Sequence, residues 1–289
     1  MKTCISSYSY GRLIREGKMD YFQVMDKTKE LGFDAIEFST IAVPEGKTLA
    51  EFAVELKAYA DKIGLPIASY TIGANFMQAD VAAEIERVKG EVDIAEILGA
   101  PVMRHDVMYN YYEGYTGPKT FLAALDVIAP AIRAVSEYAA TKGIVTMSEN
   151  HGFIAQDADR MLQLFTAVNC PNYRWLCDVG NFVCADENCA VSVGKLKEMA
   201  SHVHVKDFFL RSGMEPNPGR GWFQTRAGNY ARGTIVGQGN VPVQQCLRLL
   251  KNAGYDGYVS IEFEGMEEPL MSIEIGLENL QRMLAELQG

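Results

Sequence analysis

The chain has 289 residues, 48% hydrophobic and 22% charged, which is enough apolar material for a large buried core and too little polar bias for disorder. Its formal charge of −10 excludes a surface built for phosphate backbones, because nucleic-acid binding draws its affinity from clustered Lys and Arg. The opening Met1–Tyr8 has no apolar run of signal-peptide length, and no later run reaches the ~20 apolar residues of a membrane helix, so a cytoplasmic protein is expected, with no membrane and no nucleic-acid partner.

A first strand is expected near Thr3–Ser6, and no G-x-G-x-x-G follows it, which removes the main support for a dinucleotide fold. Leu31-Gly32-Phe33-Asp34 then reads as a helix stop leading into a strand at Ala35–Phe38. Leu49, Phe52, Ala53, Leu56, Tyr59 and Ala60 recur at helical spacing, with Thr48 and Glu51 placed as a capping box. The same stop-and-strand signal returns at Ile63-Gly64 before Ile67–Tyr70, at Leu98-Gly99 before Val102–His105, and at Lys142-Gly143 before Val145–Glu149. Strands follow at Trp175–Asp178 and His202–Lys206, and a last stop at Ala253-Gly254 precedes Val259–Glu262. Eight βα units of roughly 30 residues fit a closed (β/α)8 TIM barrel, α/β in class and a single domain over residues 1–289. The one large break in the spacing is an inserted loop at about 208–239 after strand seven. It is rich in Gly, Arg and aromatics (Gly219-Arg220-Gly221-Trp222-Phe223, Thr225-Arg226, Tyr230) and reads as a functional lid. The six cysteines form no C-x-x-C pair and are expected to be reduced, mostly buried thiols.

Active sites of such barrels stand on the C-terminal ends of the strands, and four strands here end in metal-type ligands: Glu149, Asp178, His204 and Glu262. Strand parity supports this. His202, His204 and Lys206 share one face of strand seven, and Ser260, Glu262 and Glu264 share one face of strand eight, with apolar residues opposite. Carboxylates turned inward must be paired, and one divalent cation would satisfy all three together with the imidazole. A set of oxygens with one nitrogen suits Mn²⁺ first, then Mg²⁺ or Co²⁺, with Zn²⁺ also admissible. His151 joins Glu149 on one face if strand five stays extended through Asn150. His105 and Glu37 end strands four and two, where contact with a ligand and a structural role are both open. Lys206 and Asp207 could position a substrate or pair with each other, and Arg226 in the insertion could reach a substrate oxygen. His202, deeper on its strand, reads as a core histidine, and Gly237-Gln238-Gly239 as a turn.

Taken together, Ser148-Glu149-Asn150-His151, Cys177-Asp178-Val179-Gly180-Asn181-Phe182, His202-Val203-His204-Val205-Lys206-Asp207 and Tyr255–Glu264 resemble the xylose isomerase-like barrels, specifically the sugar phosphate isomerase/epimerase family, over essentially the whole chain. The resemblance implies that Glu149, Asp178, His204 and Glu262 hold the metal and that the two glutamates are the acid/base pair. Asn181 departs from the pattern, since ketose epimerases of the family carry a histidine there. The reaction implied is proton abstraction next to a carbonyl through a metal-bound enediolate, in a sugar isomerase or epimerase, with His151 as a third proton carrier. His105, Glu37, Lys206, Asn181, Arg226 and Trp222 are the expected substrate contacts. The same enolate could instead expel a β leaving group, making the enzyme a metal-dependent lyase that cleaves 3-keto-glycosides by β-elimination; such a substrate requires a sugar dehydrogenase in the same pathway. A third alternative is a non-catalytic sugar-binding or regulatory barrel. The partner in every case is a small sugar or keto-sugar, and barrels of this type commonly pair as homo-oligomers.

Overall fold

Alternating apolar strands and capped amphipathic helices close into a barrel, seen here in a computed structural model that describes residues 1–287. The parallel strands are β1 (Lys2–Ser6), β2 (Ala35–Ser39), β3 (Ile67–Ile72), β4 (Val102–His105), β5 (Val145–Glu149), β6 (Tyr173–Asp178), β7 (Ala200–Val205) and, after three short strands described below, β11 (Tyr258–Ile261). They run in the order β1-β11-β7-β6-β5-β4-β3-β2, so the last strand lies against the first. The helices are α1 (Gly11–Arg15), α2 (Tyr21–Leu31), α3 (Leu49–Ile63), α4 (Val81–Leu98), α5 (Phe121–Thr141), α6 (Ala158–Val168), α7 (Cys189–Leu196), α8 (Val243–Asn252) and α9 (Pro269–Glu286). Strand bounds expected from the sequence agree with these to within two residues.

The local causes are those read in the sequence. Thr48 caps α3 with the reciprocal Glu51 bond, and Gly32, Gly64 and Gly99 end α2, α3 and α4 in the left-handed conformation that only glycine adopts without a Cβ penalty. Ile5, Ile36, Phe38, Trp175, Val203 and Val205 are buried in the main core shared with the helices. The opposite strand faces enclose a small floor of Cys4, Ala35 and Ala68, with Met147 and Leu176 on the faces of Glu149 and Asp178, and carry a layer of buried polar side chains that includes Glu37, Arg104, Glu149, Asp178, His202 and His204. A barrel interior is a packed core, so this polar layer must be internally satisfied or hold a ligand. No helix among the described residues is long and apolar enough to cross a membrane.

The insertion is a small folded unit, where the sequence suggested a loop. β8 (Asp207–Arg211), β9 (Phe223–Gln224) and β10 (Tyr230–Thr234) form an antiparallel sheet in the order β8-β10-β9. Its hairpin pairing starts one residue after Lys206, so the boundary falls earlier than expected. Asp207 does not pair with Lys206. Its carboxylate accepts backbone N–H groups of Phe208, Gly237, Gly239 and Val241, which anchors the base of the insertion to the Gly237–Gly239 turn.

Candidate metal centre

Four neighbouring strands, β5, β6, β7 and β11, bring the candidate ligands together. Asp178 ends β6 directly opposite His204 on β7, and Ser260 of β11 pairs with His204, so that Glu262 follows one step above it. Glu149 ends β5, and Asn150 locks that end to β6: its side-chain oxygen accepts from Asp178 N–H and from the Trp175 indole, while its amide donates to the Asp178 carbonyl. One ligand atom from each of Glu149, Asp178, His204 and Glu262 lies within 4.8 Å of all the others.

The partners of each atom show which lone pairs are spoken for. Asp178 Oδ1 accepts the N–H groups of Gly180 and Asn181, both at 2.8 Å, which leaves Oδ2 buried without a hydrogen-bond donor. His204 Nε2 donates to the Glu37 carboxylate at 2.9 Å, so Nδ1 is the free nitrogen, 3.7 Å from Glu262 Oε1 and 4.0 Å from Asp178 Oδ2, again with no hydrogen-bond partner. Asp178 Oδ2 has only the Lys206 ammonium beside it, at 3.1 Å and without hydrogen-bond geometry, and His204 Nδ1 has no hydrogen-bond partner; one divalent cation would serve both atoms together with Glu149 and Glu262. Burial, reinforced by Glu149 and Glu262, raises the Asp178 carboxyl above its ordinary range in the absence of such a cation. Burial alone would lower His204, but in the absence of a cation the anions Glu37 and Glu262 carry it up to about 10, so Nδ1 then holds a proton that a metal would displace.

Glu37, His202 and His204 form a second cluster of metal-type atoms. Both imidazole Nε2 atoms lie 2.9 Å from the Glu37 carboxylate, with hydrogen-bond geometry for His204 and off that geometry for His202, and all three side chains are sealed from solvent. Coulombic attraction and bonds from the two histidines hold Glu37 well below its usual range despite burial. This is the carboxylate–histidine arrangement that fixes which imidazole nitrogen meets a metal. Glu37 therefore lies beneath the chamber against the two histidines and does not line it, where contact with substrate was expected.

Glu149 is held on both oxygens. Asn181 Nδ2 donates to Oε1 at 2.7 Å and Arg104 to Oε2 at 2.7 Å. Burial would raise this carboxyl, but the Arg104 guanidinium outweighs it and keeps the group ionised at neutral pH. The same guanidinium reaches Asp106 at 2.8 Å, and Asp106 accepts from His151 Nδ1 at 3.0 Å and from the Tyr109 hydroxyl at 2.6 Å. His151 comes after the end of β5, yet it lines the chamber, where burial disfavours its charge while the Asp106 bond raises its pKa overall.

The chamber is lined by Tyr8, Ser39, Thr71, Arg104, Glu149, His151, His204, Glu262 and Glu264, and its volume is about 120 Å³. Sequence reasoning passed over Tyr8, Arg104 and Asp106. Strand parity, applied to β4 as it was to β7, finds Arg104 and Asp106: in Arg104-His105-Asp106 the outer two point together and the middle one points away. His105 is accordingly corrected. It is fully buried on the helix side, edge-on to Phe76 and stacked on Tyr173, with Nδ1–H donating to the Asp106 carbonyl. Trp222 and Arg226 are corrected too. Trp222 is sandwiched between the Arg211 and Arg232 guanidiniums, away from the chamber. Arg226 donates to Asp157 and to the Phe153 carbonyl, which clamps the insertion to the loop that carries His151. A long insertion has no periodicity from which such directions could be read. Lys206 lies among Asp178, Glu262 and Glu264.

Burial lowers the His105 pKa to about 4, since a second proton on Nε2 would find no acceptor beside Phe76 and Tyr173. The unfolded chain takes that proton near pH 6.5. Stability is thus lost as pH falls through 6.5 and levels off below about 4. Changing His105 to Phe should remove about 2–3 kcal/mol of the pH dependence between pH 7 and 4.5. Urea unfolding of both proteins in chelator measures the difference, in which all other titrating groups cancel.

Residues 25–284 match the family model described as xylose isomerase-like TIM barrel. The chain is 21% identical over 266 residues to a D-psicose 3-epimerase of Enterocloster bolteae, covering 86% of this chain and 78% of the relative. Among solved structures it is similar to a xylose isomerase-like TIM barrel protein from Mycobacterium smegmatis in complex with magnesium (TM-score 0.69, 18% identity, 92% and 89% covered). It is also similar to a 3-keto-D-glucoside 4-epimerase from E. coli (TM-score 0.67, 16% identity, 90% and 94% covered).

Proposed function

The chain belongs to the xylose isomerase-like TIM barrel family, and on that premise we propose that it is a divalent-metal-dependent sugar isomerase or epimerase that moves a proton next to a carbonyl. The observation that carries this reading is the convergence of one ligand atom each from Glu149, Asp178, His204 and Glu262 within 4.8 Å of one another, with Asp178 Oδ2 and His204 Nδ1 buried and lacking hydrogen-bond partners. The ketose epimerase among the relatives supports a sugar as substrate, and the three oxygens and one nitrogen support Mn²⁺. When bound, the cation polarises a carbonyl and stabilises the negative charge that develops as the neighbouring C–H is broken.

The chain's own residues do the rest. Glu149 ends β5 and Glu262 follows β11, with β6 and β7 between them in the ring, so they approach a sugar carbon from different directions. One takes the proton and the other returns it. Arg104 and Asn181 fix the Glu149 carboxylate in one orientation, and Asn181 thereby fills the place where relatives present a histidine. A base positioned in this way contributes about 10²–10⁴-fold.

A second reading rests on the His151–Asp106 bond. β-Elimination requires an acid at the leaving oxygen as well as a base at carbon, and His151, charged more readily because of Asp106, supplies one. The lyase acting on 3-keto-glycosides is therefore the runner-up. Incubation of the Mn²⁺-loaded protein in D₂O with free ketoses and, separately, with 3-keto-glycosides tests the choice. Deuterium entering the ketose beside its carbonyl, with formation of the isomer, is the expected result. Aglycone release with no label in any ketose would transfer the assignment to the lyase. Failure to bind any divalent metal at saturating Mn²⁺ would leave the non-catalytic sugar-binding barrel.

A further inference from the structure

Lys206 is 2% exposed, and its position is built into the fold. Gly180 makes room for it: a Cβ there would come within 2.5 Å of Lys206 Cγ and 2.9 Å of the Lys206 carbonyl oxygen. The stem is therefore packed over the Asp178–Asn181 turn, and only the head has freedom. Its ammonium lies 2.5 Å from Glu262 Oε2, 3.0 Å from Glu264 Oε1 and 3.1 Å from Asp178 Oδ2. Glu262 and Asp178 are two of the four candidate metal ligands, whereas Glu264 is outside that set.

The contested atom is Asp178 Oδ2. Its partner Oδ1 is committed to two backbone N–H groups, so Oδ2 is the only oxygen of Asp178 that can ligate. Lys206 Nζ approaches it closely but off the line of a hydrogen bond, and Oδ2 remains without a donor. The contact supplies charge without a well-formed bond. With Glu264 the same ammonium makes a regular hydrogen bond. From these distances we propose that Lys206 is a tethered counter-cation of the metal centre: it neutralises Asp178 and Glu262 while no metal is bound, and withdraws toward Glu264 when a divalent cation enters.

The proposal rests on the metal-dependent reading above and goes beyond it in assigning the lysine a role against the metal. Arg104 already serves Glu149, and Lys206 supplies the ammonium beside Asp178 and Glu262, so the lysine favours folding of the metal-free chain. The same charge repels an incoming dication, and affinity is held below what the four ligands could reach. A substrate-positioning or purely structural lysine gives the opposite sign, because its loss would disturb the ligands and weaken metal binding.

Calorimetric titration of the metal-free protein with Mn²⁺ alone, together with thermal unfolding with and without metal, tests this. Lys206→Met should bind Mn²⁺ at least tenfold more tightly than wild type and unfold at a lower temperature when metal-free. Glu264→Gln should bind Mn²⁺ more weakly, since the ammonium loses its resting place, and the double variant should follow Lys206→Met. If metal-free Lys206→Met does not fold, it is purified with Mn²⁺ and its affinity is read by competition with a chelator. Unchanged or weaker binding by Lys206→Met overturns the counter-cation role while the metal reading stands. Absence of binding in wild type and both variants overturns the two together.

Discussion

Changing Glu149 to Gln should lower kcat by about 10³-fold at saturating Mn²⁺ and abolish exchange of solvent deuterium into the sugar, with the fold intact. The amide can still accept from Asn181 and lie beside Arg104, which keeps its second partner Asp106, so the local frame survives. What is lost is a proton acceptor of negative charge. Metal affinity should fall as well, and titrating Mn²⁺ to saturation separates that loss from the loss of the base. Exchange that persists at saturation would make His151 the proton carrier, and His151→Gln would then inherit the large effect.

Changing Glu37 to Gln should weaken Mn²⁺ binding by about 10–100-fold, although Glu37 does not ligate in the proposed site. Its carboxylate holds the Nε2 atoms of His202 and His204 and leaves His204 Nδ1 free for the chamber. A glutamine supplies one oxygen without charge, so the His204 tautomer is no longer enforced. Breaking a buried pair also costs about 3–5 kcal/mol of stability. Calorimetric titration with Mn²⁺ and urea unfolding read the two effects separately. Unimpaired affinity would show that the ring orientation is set elsewhere, and the support role would be withdrawn.

The sequence pointed to the four candidate ligands because each stands at or next to a strand end, where a period of two tells which side chains share a face. The same rule was not carried to β4, and so His105 was chosen over its neighbours Arg104 and Asp106. Glu37 was correctly placed inside the barrel, but depth along the axis is not written in parity, and only the coordinates separate a group touching the chamber from one below it. Trp222 and Arg226 failed for another reason. They lie in a segment without period, and their directions follow from pairing in a small sheet whose register depends on contacts distant in sequence, such as that between Arg226 and Phe153.

The four candidate ligands all come from the second half of the chain, while the groups that orient them, Glu37 and Arg104, come from the first. The first half alone carries Glu37 without its histidine partners, which lie on β7, whereas the Arg104 guanidinium already has Asp106 beside it. A half barrel closed around Glu37 would bury an unmatched carboxylate, so early collapse gains little there. Charge matching across the barrel thus ties the closed fold to the presence of both halves.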